Sequence, residues 1–204
     1  SWTAPDEPVP FAQARAASYT PHPVGTPWGA PWGTVWFHVT GQVPASWPLP
    51  GTRAELEIDL GFIAQQPGFQ AEGAAWSPDG VLLKGISPRN SWVPLVLKDD
   101  DDGAAGSDAG SPFAPVDFYI EGAANPDVPG NQWTKPTKLG AKETSGPDPI
   151  YVLKHVDVAL LDVAVHELVA DAATPRGLVT SLPTTSPRRA EVIRALEVMC
   201  DVVD

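Results

Sequence analysis

The sequence predicts a mostly-β fold, an antiparallel β-sandwich with a C-terminal helical extension. Three observations carry that expectation. The 204 residues include 18 Gly and 24 Pro, a load that interrupts helices and suits short strands joined by turns. Several segments alternate apolar and polar residues with a period of two, as half-buried strands do. Only near the C-terminus does the apolar spacing change to the helical period. With 43% hydrophobic residues and eight Trp, the chain can bury a core and is not disordered by composition.

Residues 1–33 read as irregular, because Pro5, Pro8, Pro10, Pro21, Pro23, Pro27 and Pro31 prevent sustained regular structure; residues 11–17 allow a helical turn or two. The β-branched and aromatic run 34–40 reads as a strand, with Val35, Phe37 and Val39 on one face and Trp36 and His38 on the other. Residues 41–51, with Pro44, Pro48 and Pro50, read as a loop. Residues 53–60 are the clearest strand: Leu56, Ile58 and Leu60 alternate with Glu55, Glu57 and Asp59, which predicts one wet face. Ser77-Pro78-Asp79-Gly80 is a turn signal between runs 73–76 and 81–84, so a hairpin is expected.

Residues 92–97 read as a strand in which Pro94 marks an edge or a bulge. Residues 99–112, rich in Asp, Gly, Ala and Ser, read as a mobile loop. Residues 115–121 alternate again, 122–148 form a long Pro/Gly-rich excursion, and 151–161 resume as a strand with Val156, Val158 and Leu160 on one face. Val165, Leu168, Val169 and Ala172 then fit a helix that Thr174-Pro175 should stop. Ser186-Pro187 is an N-cap followed by Pro at the first helical position. The following helix carries the apolar stripe Val192, Ile193, Leu196, Met199, Cys200 and Val203, which predicts a packing face and a buried Cys200. Arg188 and Arg189 in its first turn, and Asp201 and Asp204 in its last, oppose the helix dipole. With the stripe still in phase at the last residue, the natural polypeptide is expected to continue.

Thirteen Lys plus Arg against 25 Asp plus Glu give a net charge of −12, which leaves no basic footprint for nucleic acid. Cys200 is the single cysteine, so no intramolecular disulfide forms and a reducing compartment fits. No run of 18 apolar residues is present for a membrane span, and no signal-peptide order of residues opens the chain. Cytoplasmic localisation is the resulting expectation.

Tests for chemistry return little. His22, His38, His155 and His166 are dispersed without zinc-protease spacing. The run Asp99, Asp100, Asp101, Asp102 fails the calcium-loop test: with Gly103 at the sixth position, Lys98 would be first and Ala109 twelfth. No nucleophile elbow or phosphate loop occurs, and Glu55, Glu57 and Asp59 look like ordinary surface patterning. No catalytic residue and no metal ligand is expected in this chain. The aromatic series is more informative. Trp28, Trp32 and Trp36 are four apart, yet Gly29, Pro31 and Gly33 prevent a helix between them. Exposed, they would stack on sugar rings; buried, they would fill a core. Arg89-Asn90 after Ser87-Pro88 offers planar donors for hydroxyl-rich ligands or for closing a turn.

Ordered blocks of the sequence carry a family resemblance. They are Pro8-Val9-Pro10-Phe11-Ala12-Gln13-Ala14, Pro27-Trp28-Gly29-Ala30-Pro31-Trp32-Gly33-Thr34-Val35-Trp36-Phe37, Asp59-Leu60-Gly61-Phe62, Pro67-Gly68-Phe69-Gln70-Ala71-Glu72-Gly73, Lys84-Gly85-Ile86-Ser87-Pro88-Arg89-Asn90, Tyr119-Ile120-Glu121-Gly122-Ala123-Ala124-Asn125-Pro126, residues 151–168 and Ser186-Pro187-Arg188-Arg189-Ala190. Together they resemble the N-terminal region of family 38 glycoside hydrolases, the α-mannosidases of bacteria and of the eukaryotic cytosolic or vacuolar type. The resemblance implies a galactose-binding-like, jelly-roll sandwich. It implies a parent enzyme that hydrolyses terminal α-linked mannose with retention, using an aspartate nucleophile, a carboxylic acid/base and a divalent metal, usually zinc. Those residues would lie in a catalytic domain after this region, so none maps onto residues 1–204, and no cofactor is expected in this chain itself.

The domain organisation implied is an irregular segment 1–33 packed on the sandwich, the sandwich 34–162, and a helical linker 163–204 leading to the catalytic domain. The family matches that could contact carbohydrate or that domain are Trp28, Trp32, Trp36, Gln70, Glu72, Arg89, Asn90 and Asn125. The leading expectation is a non-catalytic accessory domain that packs on its own catalytic domain and helps shape the substrate cleft or a homo-oligomer. Two alternatives stand beside it: an independent module that binds mannosides, and a purely structural or assembly module.

Overall fold

A computed structural model describes residues 1–5, 9–63, 65–66, 68–95, 113–126 and 138–203. Pro8, Pro67, the expected loop 99–112, the end of the expected strand 92–97 and residues 127–137 of the expected excursion lie outside the described residues. In chain order the elements are β1 (Trp2–Thr3), α1 (Phe11–Arg15), β2 (Pro27–Trp28), β3 (Thr34–Pro44), β4 (Thr52–Asp59), β5 (Glu72–Trp76), β6 (Leu82–Ile86), β7 (Trp92–Pro94), β8 (Phe113–Ala123), a 3-10 turn (Lys138–Gly140), α2 (Lys142–Ser145), β9 (Tyr151–Val152), β10 (His155–Asp162), α3 (Val163–Ser181) and α4 (Pro187–Val203). The chain divides into two compact units, one of Ser1–Pro48 with Ala54–Leu160 and one of Leu49–Arg53 with Leu161–Asp204.

The first unit is an antiparallel β-sandwich. One sheet has the order β1-β3-β8-β5-β6 and the other β10-β4-β7, with a separate β2-β9 pair. Period-two alternation turns one row of side chains inward from each sheet. Val35 and Phe37 of β3, Val116 and Ile120 of β8 and Ala75 of β5 meet Leu56 and Ile58 of β4 and Val93 of β7 in one core. Val156, Val158 and Leu160 pack against it from β10, as their spacing predicts. The other face of the five-stranded sheet is apolar as well. There Trp36, Tyr119 and Trp76 form a cluster with Phe11, Ala14 and Tyr19 of the N-terminal segment. Phe11 stacks on Trp76 at 5.5 Å and meets Tyr119 edge-on at 5.4 Å. Burial, and then the neighbouring Tyr119 hydroxyl, push the Tyr19 phenol up to about 12. It therefore stays a donor, and it bonds the Ala14 carbonyl at 3.0 Å.

Several expectations need correction. Residues 41–44 are not loop: β3 continues to Pro44 because β8 supplies a partner for every residue, ending in the pair Pro44–Phe113, and Val43 enters the core. Glu55 is buried rather than wet, while Glu57 on the same face of β4 is exposed as expected. The expected strand 151–161 is two strands. Leu153 N–H still bonds Thr26 on the β2 side, whereas Lys154 N–H bonds the Asp59 carbonyl at the end of β4. The chain changes sheets between these residues. The expected hairpin is present, with Gly80 at φ 84° and its amide bonded to the Ser77 carbonyl at 3.0 Å. Pro94 lies on an edge strand, as Pro must.

The second unit contains α3 and α4, which pack on each other. Asp162 caps α3 by accepting from the Val165 amide at 3.0 Å. Pro175 does not stop this helix, which runs on to Ser181. The carbonyl that loses its partner belongs to Asp171, which is exposed, and one residue earlier the Thr174 hydroxyl donates to the Ala170 carbonyl at 3.4 Å. Val165, Leu168 and Val169 are exposed instead of forming a buried stripe. On α4, Val192, Ile193, Leu196 and Met199 are half-buried, while Cys200 is exposed, contrary to expectation. Ser186 and Pro187 begin α4 as predicted, with the Ser186 carbonyl accepting from the Arg189 amide at 3.1 Å.

Candidate functional site

The residues singled out from the sequence do not form one aromatic platform. Trp28 is 3% exposed and Trp36 is 0% exposed, so neither offers a face to a ligand. Trp36 sits in the outer-face cluster, and its indole N–H is buried without a hydrogen-bond partner among the described residues; nothing in the structure explains this orphaned donor. Trp32 is 36% exposed, at φ 64°, and its indole donates to the Leu139 carbonyl at 2.8 Å. The Asn125 carbonyl accepts from the Tyr151 hydroxyl. The Asn90 amide closes the turn before it by donating to Gly85 at 3.0 Å.

Four of the residues converge on the described parts of one loop, residues 60–63, 65–66 and 68–72. Trp28 donates from Nε1 to the Leu60 carbonyl at 2.8 Å. Gln70, itself buried, accepts from the Ile63 amide at 2.9 Å and donates to the Gln66 carbonyl. The Glu72 carboxylate accepts from the Gly68 amide at 3.1 Å. Arg89 Nε donates to the Gln65 carbonyl at 2.6 Å. Two further residues, which the sequence reading missed, complete the frame. Asp59 Oδ1 accepts from both the Gly61 and Phe62 amides at 2.8 Å. Lys154 Nζ donates to the Phe62 carbonyl and lies 3.8 Å from Asp59 Oδ2. A signal for Asp59 was present, because Asp two residues before Gly is a turn-forming pattern.

A loop of this length without regular structure would ordinarily be mobile. Here side chains from β2, β4, β5 and two other loops take up its backbone groups, several of them through charge-assisted bonds. The described residues that this loop presents outward are Ile63, 58% exposed, Phe69, 53% exposed, and the exposed Gln65 and Gln66. Phe69 has φ 58°, next to Gly68 at φ 86°. A non-glycine residue held in that region stores about 1–3 kcal/mol of strain, tolerated where surroundings over-determine it and common where a side chain is presented for function.

Beside the loop lies a hollow of about 320 Å³ lined by Asp59, Phe62, Ile63, Gln65, Pro88, Ser91, Lys154 and His155. A second hollow, of about 380 Å³, includes Tyr19, His22, Phe37 and His38. Most of its polar groups are paired: Tyr19 bonds Ala14, and His38 bonds Asp117 at 2.8 Å and stacks on Tyr119 at 4.3 Å; His22 Nε2 is buried without a hydrogen-bond partner among the described residues. Among the described residues no three His, Cys, Asp or Glu side chains converge as a metal requires. No helix among them is long and apolar enough to cross a membrane.

Comparison with known families places residues 1–159 on the model described as the jelly roll domain of alpha-mannosidase. The match covers every strand of the sandwich and ends within β10, so α3 and α4 lie beyond it. No curated protein matches the sequence.

Proposed function

The chain belongs to the α-mannosidase jelly roll domain family, and from that premise we propose that it is the non-catalytic N-terminal module of a retaining, metal-dependent α-mannosidase of glycoside hydrolase family 38. In this reading it docks on a catalytic module, which cleaves terminal α-linked mannose, through the face presented by loop 60–72. The observation that carries the reading is the convergence of Trp28, Gln70, Glu72 and Arg89, with Asp59 and Lys154, on the backbone of that loop. Side chains that might have touched sugar instead hold a surface. That surface exposes Ile63, Gln65, Gln66 and Phe69, and backbone bonds that hold it in place lower the ordering cost of docking.

The test is an assay of this chain alone against an aryl α-mannoside with zinc or cobalt added. No turnover above the protein-free rate is expected. Robust turnover that follows the purified chain would contradict the reading.

A further inference from the structure

We propose that the hollow beside loop 60–72 is a binding site for one neutral pyranose ring. Its chemistry selects that ligand class. Asp59 and Lys154 face it as one carboxylate and one ammonium, so the site carries no net charge from this pair and favours neither an anion nor a cation. Both groups are only part-used. Asp59 Oδ1 is taken by two backbone amides, while Oδ2 has Lys154 Nζ at 3.8 Å as its nearest ionic partner. That distance is too long for a direct hydrogen bond. It leaves room for one hydroxyl oxygen that donates to Oδ2 and accepts from Nζ. Lys154 spends one N–H on the Phe62 carbonyl and keeps others.

The Ser91 hydroxyl and the His155 ring also line the hollow, and neither has a hydrogen bond among the described residues. A ligand rich in hydroxyls satisfies such mixed donors and acceptors; an apolar one would leave them unpaired. Phe62, Ile63 and Pro88 supply the apolar side that the C–H face of a sugar ring requires. The volume of about 320 Å³ is at the small end for ligand sites, which suits one ring rather than a chain. The walls are preset, since Asp59, Lys154 and Arg89 fix the backbone at Phe62 and Gln65. This site is separate from the buried Trp series. It shares Ile63 with the proposed docking face, so it is tested on this chain alone, where a failure of docking leaves the result unaffected.

The experiment titrates the 204-residue chain with methyl α-mannopyranoside, and in parallel with the corresponding glucoside and galactoside, following amide chemical shifts and heat. At least one pyranoside is expected to saturate at about millimolar concentration, with shifts confined to residues around Ser91 and His155. Ser91→Ala is expected to weaken it about five- to tenfold, the size of one lost hydrogen bond. His155→Ala provides a second, independent variant, and melting curves check that both remain folded. Flat titrations for all three pyranosides to high millimolar would overturn the proposal. So would binding that both variants leave unchanged, or shifts that map elsewhere.

Discussion

Trp28→Ala is expected to cost about 3–5 kcal/mol of folding stability, the range for truncating a buried aromatic. The indole meets Phe37 edge-on at 5.4 Å and lies 5.6 Å from the Tyr151 ring. It also covers Gly122, where an added Cβ would stand 3.1 Å from the indole edge. Truncation opens a cavity between β2, β3 and β9 and removes the indole donor from the Leu60 carbonyl, an unpaired buried acceptor costing about 1–3 kcal/mol within that total. Denaturant titration should show a lower midpoint at an unchanged m value. Trp28→Phe keeps most of the packing and loses the hydrogen bond, so its loss should be less than half as large. A loss below about 1 kcal/mol for the alanine variant would mean that Trp28 is not part of the core.

Gly61→Ala should be nearly as damaging, by a different route. Gly61 has φ 102°, and a Cβ there would lie 2.6 Å from the Val152 carbonyl oxygen and 3.0 Å from its nitrogen. Both atoms are backbone, so no side chain can rotate away. Either β9 moves off β2, or Gly61 leaves its conformation and breaks the pair of amide bonds to Asp59. Strain of about 1–3 kcal/mol adds to overpacking of about 1–3 kcal/mol. Gly68→Ala is the control. Its φ is 86° but nothing lies within 4 Å of the added Cβ, so only the conformational part remains. The difference between the two variants in a thermal melt isolates the steric part. Equal losses would show that Val152 yields freely.

Much of the strand framework was legible because its cause is local. Alternation in β4 and β8, the Ser77–Gly80 turn and the Ser186-Pro187 helix start each depend on residues a few positions apart. The misses depend on distant partners. Residues 41–44 became strand because β8 extends to Phe113. Glu55 is buried although Glu57 on the same face is exposed, a difference that alternation does not encode, and the break at Lys154 follows from Asp59 accepting its amide. The candidate site shows the same division. Trp28 and Arg89 stood out by residue type, and Gln70 and Glu72 only through the family resemblance, but their shared target was not visible. Each reaches a different backbone atom of one loop, and only Gln70 and Glu72 do so from within their own sequence neighbourhood. Asp59 was hidden by its own regularity, as one more acidic residue in an alternating strand.

Docking through loop 60–72 is tested most directly by amide hydrogen exchange on this chain alone and on a polypeptide that joins it to its catalytic module. The account predicts slower exchange and loss of solvent labelling around Ile63 and Phe69 in the joined protein, with the β3–β8 ladder unchanged. Identical exchange in the two states across residues 60–72, at full occupancy of the joined form, would contradict it.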